Sequence, residues 1–358
     1  MDSATRTVRL CLLGYGSVAR AFCTLLARQQ QPLRRDHGLR VLVSGVGTRR
    51  GSLVAPVGLE PAEVLAAVAD GKAPPQAPLA AGDLLAKSAA DVLVELTVME
   101  PDGAPLATGH VETAFALGMD VVTANKGPIA WNWRHVRDAA EAMERRIRFE
   151  STVMDGLPVF SLLERALPGC DLLGFDAVFN ATTNFLIDAM GTGRSYEDAL
   201  AQVQSDGYAE ADPSNDVDGW DAASKSAALA NVVMGAGITP ADVERESLRD
   251  VPLERILRAR TEGRRLRLVS SVRREPPAPG QAAPPGAGPS ATTSRVRARL
   301  RAEELDIDHP LAAVGGESLG ALLHTDLMAD VLVSERHALV PQTAYGVYAD
   351  LLHLCRTT

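Results

Sequence analysis

The stretch VRLCLLGYGSVA, residues 8–19, decides the fold of the first half of the chain. Its first part, Val8–Leu13, is a short aliphatic run typical of a buried strand. The glycine turn at 14–19 follows directly, and residues 20–31 have helical spacing. This order predicts a dinucleotide site, because glycines let the backbone approach a pyrophosphate and the helix N-terminus favours its charge. The alternative is a glycine-rich turn without a ligand. The residues expected to bind the cofactor here are Gly14, Gly16, Ser17 and Val18.

The alternation of strands and helices continues outward from this turn to about residue 150. It predicts an α/β fold, with a Rossmann-type doubly wound parallel sheet in a dinucleotide-binding domain at 1–150. The predicted strands after the first are Arg40–Gly45, Asp91–Thr97 and Asp120–Ala124, and the predicted helices are Pro61–Asp70 and Val111–Gly118.

The pattern changes after residue 150 and predicts a second, α+β domain at 151–340 for catalysis and dimerisation. Within it, Arg265–Arg274 and Ser294–Arg301 alternate like the two arms of a hairpin. Nine of the fifteen residues at 276–290 are proline or glycine, which predicts a disordered hairpin tip. A C-terminal helix at about 342–354 is expected to pack back on the first domain. The other predicted elements are the strand Leu172–Phe179 and the helices Tyr196–Gly207 and Ala222–Met234.

Composition excludes several classes of protein. The 358 residues carry a formal net charge of -9 and only 4% aromatics, which argues against a nucleic-acid partner. The longest charge-free apolar run, Ser226–Ala241, is shorter than the roughly 20 residues that a membrane helix needs, so no membrane partner is expected. Four cysteines without CxxC spacing indicate reduced thiols in a cytoplasmic protein.

The residues after the second predicted strand indicate which dinucleotide is preferred. A carboxylate there would bind the ribose 2′-hydroxyl of NAD(H), but Val43–Thr48 contains none and is followed by Arg49 and Arg50. Guanidinium groups suit a 2′-phosphate, so the sequence predicts NADP(H) in preference to NAD(H). The alternative is that both arginines only lie on a solvated loop.

Two further segments carry chemistry. Lys126 follows the strand at Asp120–Ala124, where doubly wound folds bind ligands. An acidic loop then leads into a helix at residues 207–225, with Asp221 and Lys225 four apart and therefore on one helical face. A nearby ammonium can stabilise the negative charge that hydride transfer leaves on an aldehyde oxygen and can donate a proton to it.

These motifs make the chain similar to the homoserine dehydrogenases. The resemblance rests on VTANKGP at 122–128, FNATTNFL at 179–186 and GYAEADPSNDVDGWDAASK at 207–225, supported by HPLAAVGGES at 309–318 and QTAYGVYADL at 342–351. It implies an NAD(P)-dependent oxidoreductase that interconverts L-aspartate 4-semialdehyde and L-homoserine in threonine, methionine and isoleucine biosynthesis. It also implies a homodimer and a short form without a fused aspartate kinase or a C-terminal regulatory domain.

The resemblance also implies site residues. Lys126, Asp221 and Lys225 are the catalytic candidates, and Lys126 is also a cofactor contact. Thr97 lies in the turn expected beside the nicotinamide. The other candidates are Glu210, Asp216 and Thr182 for the substrate, and Glu150, Val153, Asp155 and Leu157 for a monovalent cation such as Na⁺.

Two of the departures from the family pattern bear on the choice of substrate. Ala181 replaces the usual glycine before the two threonines, and 334–339 replaces a glycine-rich loop. These departures leave two alternatives open: an NADP-dependent reductase of a related amino-aldehyde or alcohol on the same scaffold, and a catalytically silent NADP(H)-binding paralogue.

Overall fold

The structure is a computed structural model that describes residues 5–69, 71–206, 208–275 and 295–356. These residues form two compact units. Unit 1 contains the described parts of 1–128, 132–156 and 340–358, and unit 2 contains those of 129–131 and 157–339. The proline- and glycine-rich tip expected at 276–290 lies outside the described residues.

Unit 1 is built on a six-stranded sheet in the order β3-β2-β1-β4-β5-β6. All neighbouring strands are parallel except β3, which runs antiparallel to β2. The Rossmann-type sheet predicted from the sequence is confirmed. The strands are β1 (Arg6–Leu13), β2 (Leu39–Thr48), β3 (Gly51–Leu59), β4 (Val92–Glu95), β5 (Asp120–Thr123) and β6 (Ile147–Arg148), and the helices are α1 (Ser17–His37), α2 (Pro61–Ala67), α3 (Ala81–Ser88), α4 (Pro105–Ala116) and α5 (Gly127–Ala142).

The edge strand β3 was not expected from the sequence. It contains Pro56 and two glycines, which weaken a strand pattern but are tolerated at a sheet edge. The strand β2 extends to Thr48, beyond its predicted end at Gly45, and forms a hairpin with β3. Gly47 in β2 has a packing reason: a Cβ there would lie 2.5 Å from Leu84 Cδ2 of α3. The helix α3, also unexpected, therefore packs close to β2.

Both faces of this sheet are covered. On one side Phe22 and Leu26 of α1 join a core with Val347 and Leu351 of the C-terminal helix. A second core brings together Leu84, Leu85, Val111 and Phe115 with Leu93 and Val121 of the sheet. Because the sheet has a core on each side, all of β4 is buried, as its continuous apolar run predicts.

Unit 2 contains a mainly antiparallel six-stranded sheet in the order β12-β11-β7-β9-β10-β8. The expected hairpin arms are β9 and β10, which pair antiparallel from Arg264–Asp306 to Arg274–Val296. The strands are β7 (Leu172–Val178), β8 (Glu244–Arg245), β9 (Arg264–Arg274), β10 (Val296–Asp306), β11 (Leu319–Thr325) and β12 (Asp330–Glu335), and the helices are α6 (Val159–Ser161), α7 (Ala181–Met190), α8 (Tyr196–Ser205), α9 (Ser214–Val217), α10 (Trp220–Met234) and α11 (Leu253–Thr261).

The last helix, α12 (Val340–Arg356), belongs to unit 1 and packs on α1. None of the helices in the described ranges combines the length and the apolar character needed to cross a membrane.

Candidate active site

The glycine turn after β1 has the backbone that a dinucleotide site needs. Gly14 has φ +85°, and a Cβ there would lie 2.4 Å from the carbonyl oxygen of Leu96, so only glycine fits. Gly16 is the N-cap of α1, and the position of its missing Cβ faces open space. No side chain in the described part of the chain caps α1, and its first turn contains no acidic residue. The N-terminal backbone at Ser17 and Val18 therefore suits an anionic group.

Arg49 and Arg50 lie in the turn between β2 and β3 at the carboxyl end of β2. Both are exposed, and Arg50 Nη1 donates a 3.3 Å hydrogen bond to the Gly71 carbonyl. The Thr48 hydroxyl accepts 3.2 Å hydrogen bonds from the backbone N–H groups of Arg50 and Gly51. The Thr48 hydroxyl thus holds the turn, and both arginine side chains remain exposed.

A buried carboxylate holds the turn that follows β4. Glu95 is fully buried and accepts a 2.9 Å hydrogen bond from the backbone N–H of Thr97 and another from its hydroxyl. His110 Nδ1 lies 2.8 Å from the second Glu95 carboxylate oxygen. These contacts compensate for burying the charge and fix the position of Thr97.

The lysine loop is joined to the same network. Asn125 Nδ2 donates to the Thr97 carbonyl at 3.1 Å and to the Thr97 hydroxyl at 3.2 Å. Asn125 Oδ1 accepts from the Gly127 backbone N–H at 2.9 Å, so Lys126 is held between two anchored neighbours. Sequence reasoning missed Glu95, His110 and Asn125. The available signal was a lone carboxylate at the end of an otherwise apolar strand.

In unit 2, Lys225 is held by α10 and by the end of β7. Its Nζ lies 3.0 Å from Asp221 Oδ2 and donates a 2.7 Å hydrogen bond to the Phe179 carbonyl. The pairing follows from the four-residue spacing predicted to place both groups on one helical face. Their side chains are 16% and 9% exposed, so water screens this ion pair far less than a surface pair.

Asn180 forms hydrogen bonds with two carboxylates near this lysine. It is the N-cap of α7, where its side-chain oxygen accepts from Thr183 N. Its Nδ2 group donates to Asp216 Oδ1 at 2.7 Å and to Asp221 Oδ2 at 2.9 Å. We refer to Asn180, Asp216, Asp221 and Lys225 as the lysine cluster. Sequence reasoning did not single out Asn180, because its role depends on contacts with distant residues.

Burial and neighbouring charges shift the pKa of Asp216 in the lysine cluster. Burial and the neighbouring Asp221 carboxylate raise the pKa of Asp216, whereas the hydrogen bond from Asn180 and the charge of Lys225 lower it less. The pKa of Asp216 therefore lies above that of an ordinary aspartate. A pKa raised by burial together with a neighbouring charge marks a candidate functional site.

The remaining substrate candidates lie on both sides of this cluster. Thr182, the second residue of α7, donates a 3.0 Å hydrogen bond to the Tyr208 carbonyl, which holds the acidic loop. Glu210 is exposed on that loop, and its backbone carbonyl accepts from Gln204 Nε2 at 2.9 Å. The lysine cluster thus includes Asp216 but does not hold the Glu210 carboxylate.

The two departures from the family pattern have simple structural settings. Ala181 is the first residue of α7, where its Cβ requires no unusual backbone. The segment 334–339 is held by Glu317, whose backbone carbonyl accepts from Ala338 N at 3.0 Å and whose carboxylate lies 2.9 Å from His337 Nδ1. The same carboxylate accepts from the Tyr208 hydroxyl at 2.9 Å, which connects this segment to the acidic loop.

The cation candidates lie around a short 3-10 helix, Glu150–Thr152. Glu150 is 4% exposed, and Asp155 Oδ1 accepts a 2.8 Å hydrogen bond from the Thr343 hydroxyl. Val153 is fully buried, and Leu157 follows in the chain. Within the described residues no three His, Cys, Asp or Glu side chains converge as metal ligands. These residues offer the Glu150 and Asp155 carboxylates and backbone carbonyls, and oxygen donors fit a hard cation better than a transition metal.

Comparison with known proteins agrees with this arrangement. The family model for the homoserine dehydrogenase NAD-binding domain matches residues 14–150, and the model for homoserine dehydrogenase matches 158–352. The chain is 32% identical over 353 residues to an NAD(+)-dependent homoserine dehydrogenase of Pseudomonas canavaninivorans, covering 97% of this chain and 96% of the relative. It is 30% identical over 357 residues to the Mycobacterium leprae homoserine dehydrogenase, covering 99% of this chain and 74% of that protein.

Solved structures give the same result. The homoserine dehydrogenase of Thermoplasma acidophilum has a TM-score of 0.81 at 28% identity and covers 98% of this chain and 100% of its own. A hyperthermophilic archaeal homoserine dehydrogenase in complex with NADPH has a TM-score of 0.78 at 25% identity and covers 99% of both chains. The chain therefore belongs to the homoserine dehydrogenase family, whose members are NAD(P)-dependent oxidoreductases acting on a CH–OH group.

Proposed function

We propose that this chain catalyses reversible hydride transfer between L-aspartate 4-semialdehyde and L-homoserine in the synthesis of threonine, methionine and isoleucine, with NADP(H) preferred over NAD(H). The observation that carries the proposal is the lysine cluster, in which a half-buried ammonium is oriented by Asp221 and the Phe179 carbonyl. A nicotinamide cofactor bound at the glycine turn would supply the hydride for reduction and accept it in oxidation.

Lys225 handles the proton in this proposal. When the aldehyde is reduced, its oxygen gains negative charge, which the Lys225 ammonium stabilises and then protonates. When homoserine is oxidised, the neutral amine of Lys225 accepts the hydroxyl proton. Asp221 orients this group and stabilises its charged form. Lys126 supplies a second ammonium, and the Glu95 network fixes its two neighbours in the chain.

The substrate is an amino acid, and its ammonium group requires a carboxylate partner. Asp216 is our first candidate, because it already lies beside a second carboxylate and would gain from an added positive charge. Glu210 and Thr182 complete the proposed substrate contacts. The exposed Glu210 carboxylate would then meet substrate on the acidic loop.

The cofactor preference rests on Arg49 and Arg50. Two exposed guanidinium groups at the end of β2, with no carboxylate in the turn, suit a 2′-phosphate better than a 2′-hydroxyl. The NADPH complex of the archaeal relative is in line with this preference, whereas the Pseudomonas canavaninivorans relative is described as NAD(+)-dependent.

The preference is tested by kcat/KM with NADPH and with NADH. We expect NADPH to be favoured at least tenfold in the wild type, and the ratio to fall about tenfold or more in Arg49→Gln/Arg50→Gln. The matched control is Arg145→Gln in unit 1, which removes a guanidinium that, among the described residues, bonds only to backbone carbonyls. Equal efficiency of the wild type with both cofactors would contradict the preference.

We also propose a homodimer, a cytoplasmic location and a monovalent cation site at Glu150, Val153, Asp155 and Leu157. The four free thiols support the location, and the buried Glu150 carboxylate supports the cation. Sedimentation velocity tests the dimer. Activity in sodium chloride against choline chloride of equal ionic strength tests the cation.

The reaction itself is tested by absorbance at 340 nm. L-Homoserine is offered with NADP⁺ or NAD⁺ at alkaline pH, and L-aspartate 4-semialdehyde with NADPH or NADH near neutrality. We expect turnover in both directions. Folded protein that binds NADPH but turns over neither substrate would contradict the proposal. A screen of other amino-aldehydes would then separate a changed substrate from a silent NADP(H)-binding paralogue.

A further inference from the structure

Unit 2 contains an arginine-lined cavity that shares no residue with the lysine cluster. Its volume is about 310 Å³, and its walls are the C-terminal end of α7, the helix α11 and the start of β9. Four arginines and one aspartate line it: Arg260, Arg264, Arg265, Arg267 and Asp188. The sequence analysis singled out none of these residues.

Two of the four arginines already have carboxylate partners. Arg264 Nη1 lies 2.9 Å from Glu304 Oε2, and Arg264 also pairs with Glu262. Arg267 Nη1 donates to Asp188 Oδ1 at 2.8 Å. These pairs neutralise only part of the positive charge that lines the cavity.

The other two arginines have only backbone partners. Arg260 Nη1 donates to the Gly191 carbonyl, and Arg265 Nη1 donates to the Arg264 carbonyl at 3.2 Å. Across the described ranges, neither guanidinium lies within ion-pair distance of a carboxylate. Each therefore keeps most of its N–H donors and its full charge available for an anion.

The buried arginine supplies an independent observation. Arg267 is 5% exposed, and its Nε–H is buried without a hydrogen-bond acceptor in the described part of the chain. A buried donor without an acceptor is costly, and such groups are uncommon in native proteins. An anion in the cavity beside Arg267 would supply the missing acceptor.

We propose that this cavity binds a small oxyanion carrying at least two negative charges, such as a phosphate group or a di- or tricarboxylate. Guanidinium groups form paired hydrogen bonds with the oxygens of both kinds of anion. The cavity is large enough for either. The Asp188 carboxylate opposes an anion, but it is paired with Arg267, and the cavity also contains three further guanidinium groups.

The proposal is tested by calorimetric titration of the full chain with inorganic phosphate and, separately, with citrate, at constant ionic strength set by sodium chloride. We expect at least one of the two to bind. The Arg260→Gln/Arg265→Gln variant should weaken that binding about tenfold or more, which corresponds to at least about 1.4 kcal/mol. The tighter of the two anions identifies the ligand class.

Two controls separate this cavity from other basic surfaces. Arg145→Gln removes one guanidinium in unit 1 and should leave the titration unchanged. Arg49→Gln/Arg50→Gln removes the arginines proposed to bind the cofactor phosphate, so binding that depends on Arg260 and Arg265 should persist in that background. If the double cavity variant does not fold, Arg265→Gln alone is used, because it removes a single hydrogen bond to the backbone. It should weaken anion binding about threefold, since the Arg260 guanidinium remains. No binding of either anion to the wild type up to about 10 mM, or equal binding in the cavity variants, would overturn the proposal.

Discussion

Unit 2 contains two carboxylate clusters with opposite electrostatics. In the lysine cluster, the buried Asp221 pairs with Lys225 beside the half-buried Asp216, and the pKa of Asp216 is raised. In the second cluster, Asp176 of β7 accepts from Ser271 and Arg273 at 2.6 Å each and lies 3.0 Å from His324 Nε2. We refer to Asp176, Ser271, Arg273 and His324 as the arginine cluster.

The contacts within the arginine cluster lower the pKa of Asp176, in contrast to the raised pKa of Asp216. Burial tends to raise the pKa of Asp176, but hydrogen bonds from Arg273, Ser271 and His324 outweigh it, so the pKa is lowered. Protein donors thus outweigh burial at Asp176, whereas at Asp216 they do not. A carboxyl group whose pKa is raised by burial and a neighbouring charge is a candidate for the functional site.

The largest effect is expected on kcat, which should depend on the lysine cluster and not on the arginine cluster. Lys225→Ala should lower kcat for homoserine oxidation about 1000-fold, because it removes the proposed proton acceptor. Arg273→Met, in the arginine cluster, should leave kcat within about twofold of the wild type. Steady-state kinetics at 340 nm measure both. Near-full turnover by Lys225→Ala would remove its catalytic role.

The central aspartates of the two clusters should also differ in their contribution to the free energy of unfolding. Asp176→Asn should lower the free energy of unfolding by about 1–2 kcal/mol, since it weakens charge-assisted hydrogen bonds to a partly exposed group. Asp216→Asn should leave that free energy unchanged or raise it, because it relieves repulsion from Asp221 while an amide oxygen can still accept from Asn180. Urea unfolding at neutral pH measures both. Equal losses in the two variants would contradict the comparison.

The pH dependence of stability should have opposite signs in the two clusters. Asp176 has a lowered folded pKa, so its stabilisation is present above the unfolded value of 3.8 and is lost as pH falls towards the folded pKa. Asp216 has a raised folded pKa, so stability is lost as pH rises from 3.8 to the folded pKa. Unfolding curves of wild type, Asp176→Asn and Asp216→Asn at several pH values test these signs. Parallel curves for the two variants would contradict them.

The smallest effect is expected at the rim of the arginine cluster. His324→Gln should change the free energy of unfolding by less than about 1 kcal/mol at neutral pH, because Arg273 and Ser271 still donate to Asp176. Its kcat should remain that of the wild type. A loss of activity here would mean that the arginine cluster also acts on the reaction.

Sequence reasoning anticipated those elements whose signal is local. The glycine turn, the strand ending at Glu95 and the Asp221–Lys225 spacing each depend on neighbouring residues, and the structure contains all three. It missed β3 and α3, because their short and glycine-containing segments are stabilised by packing against β2. It also missed Glu95 and Asn180 as polar centres, because both are defined by partners on other elements.

The sequence by itself determined the Rossmann-type fold, the family and the residues able to carry the chemistry, because these follow from short motifs with characteristic spacing. Only the tertiary structure decided which carboxylates lie in the cluster around Lys225 and which one is bonded by Arg273. Asn180 meets Asp216 across 36 positions, and His324 meets Asp176 across 148. Chain folding sets such distances, and these distances, together with burial, determine the charge that each site keeps.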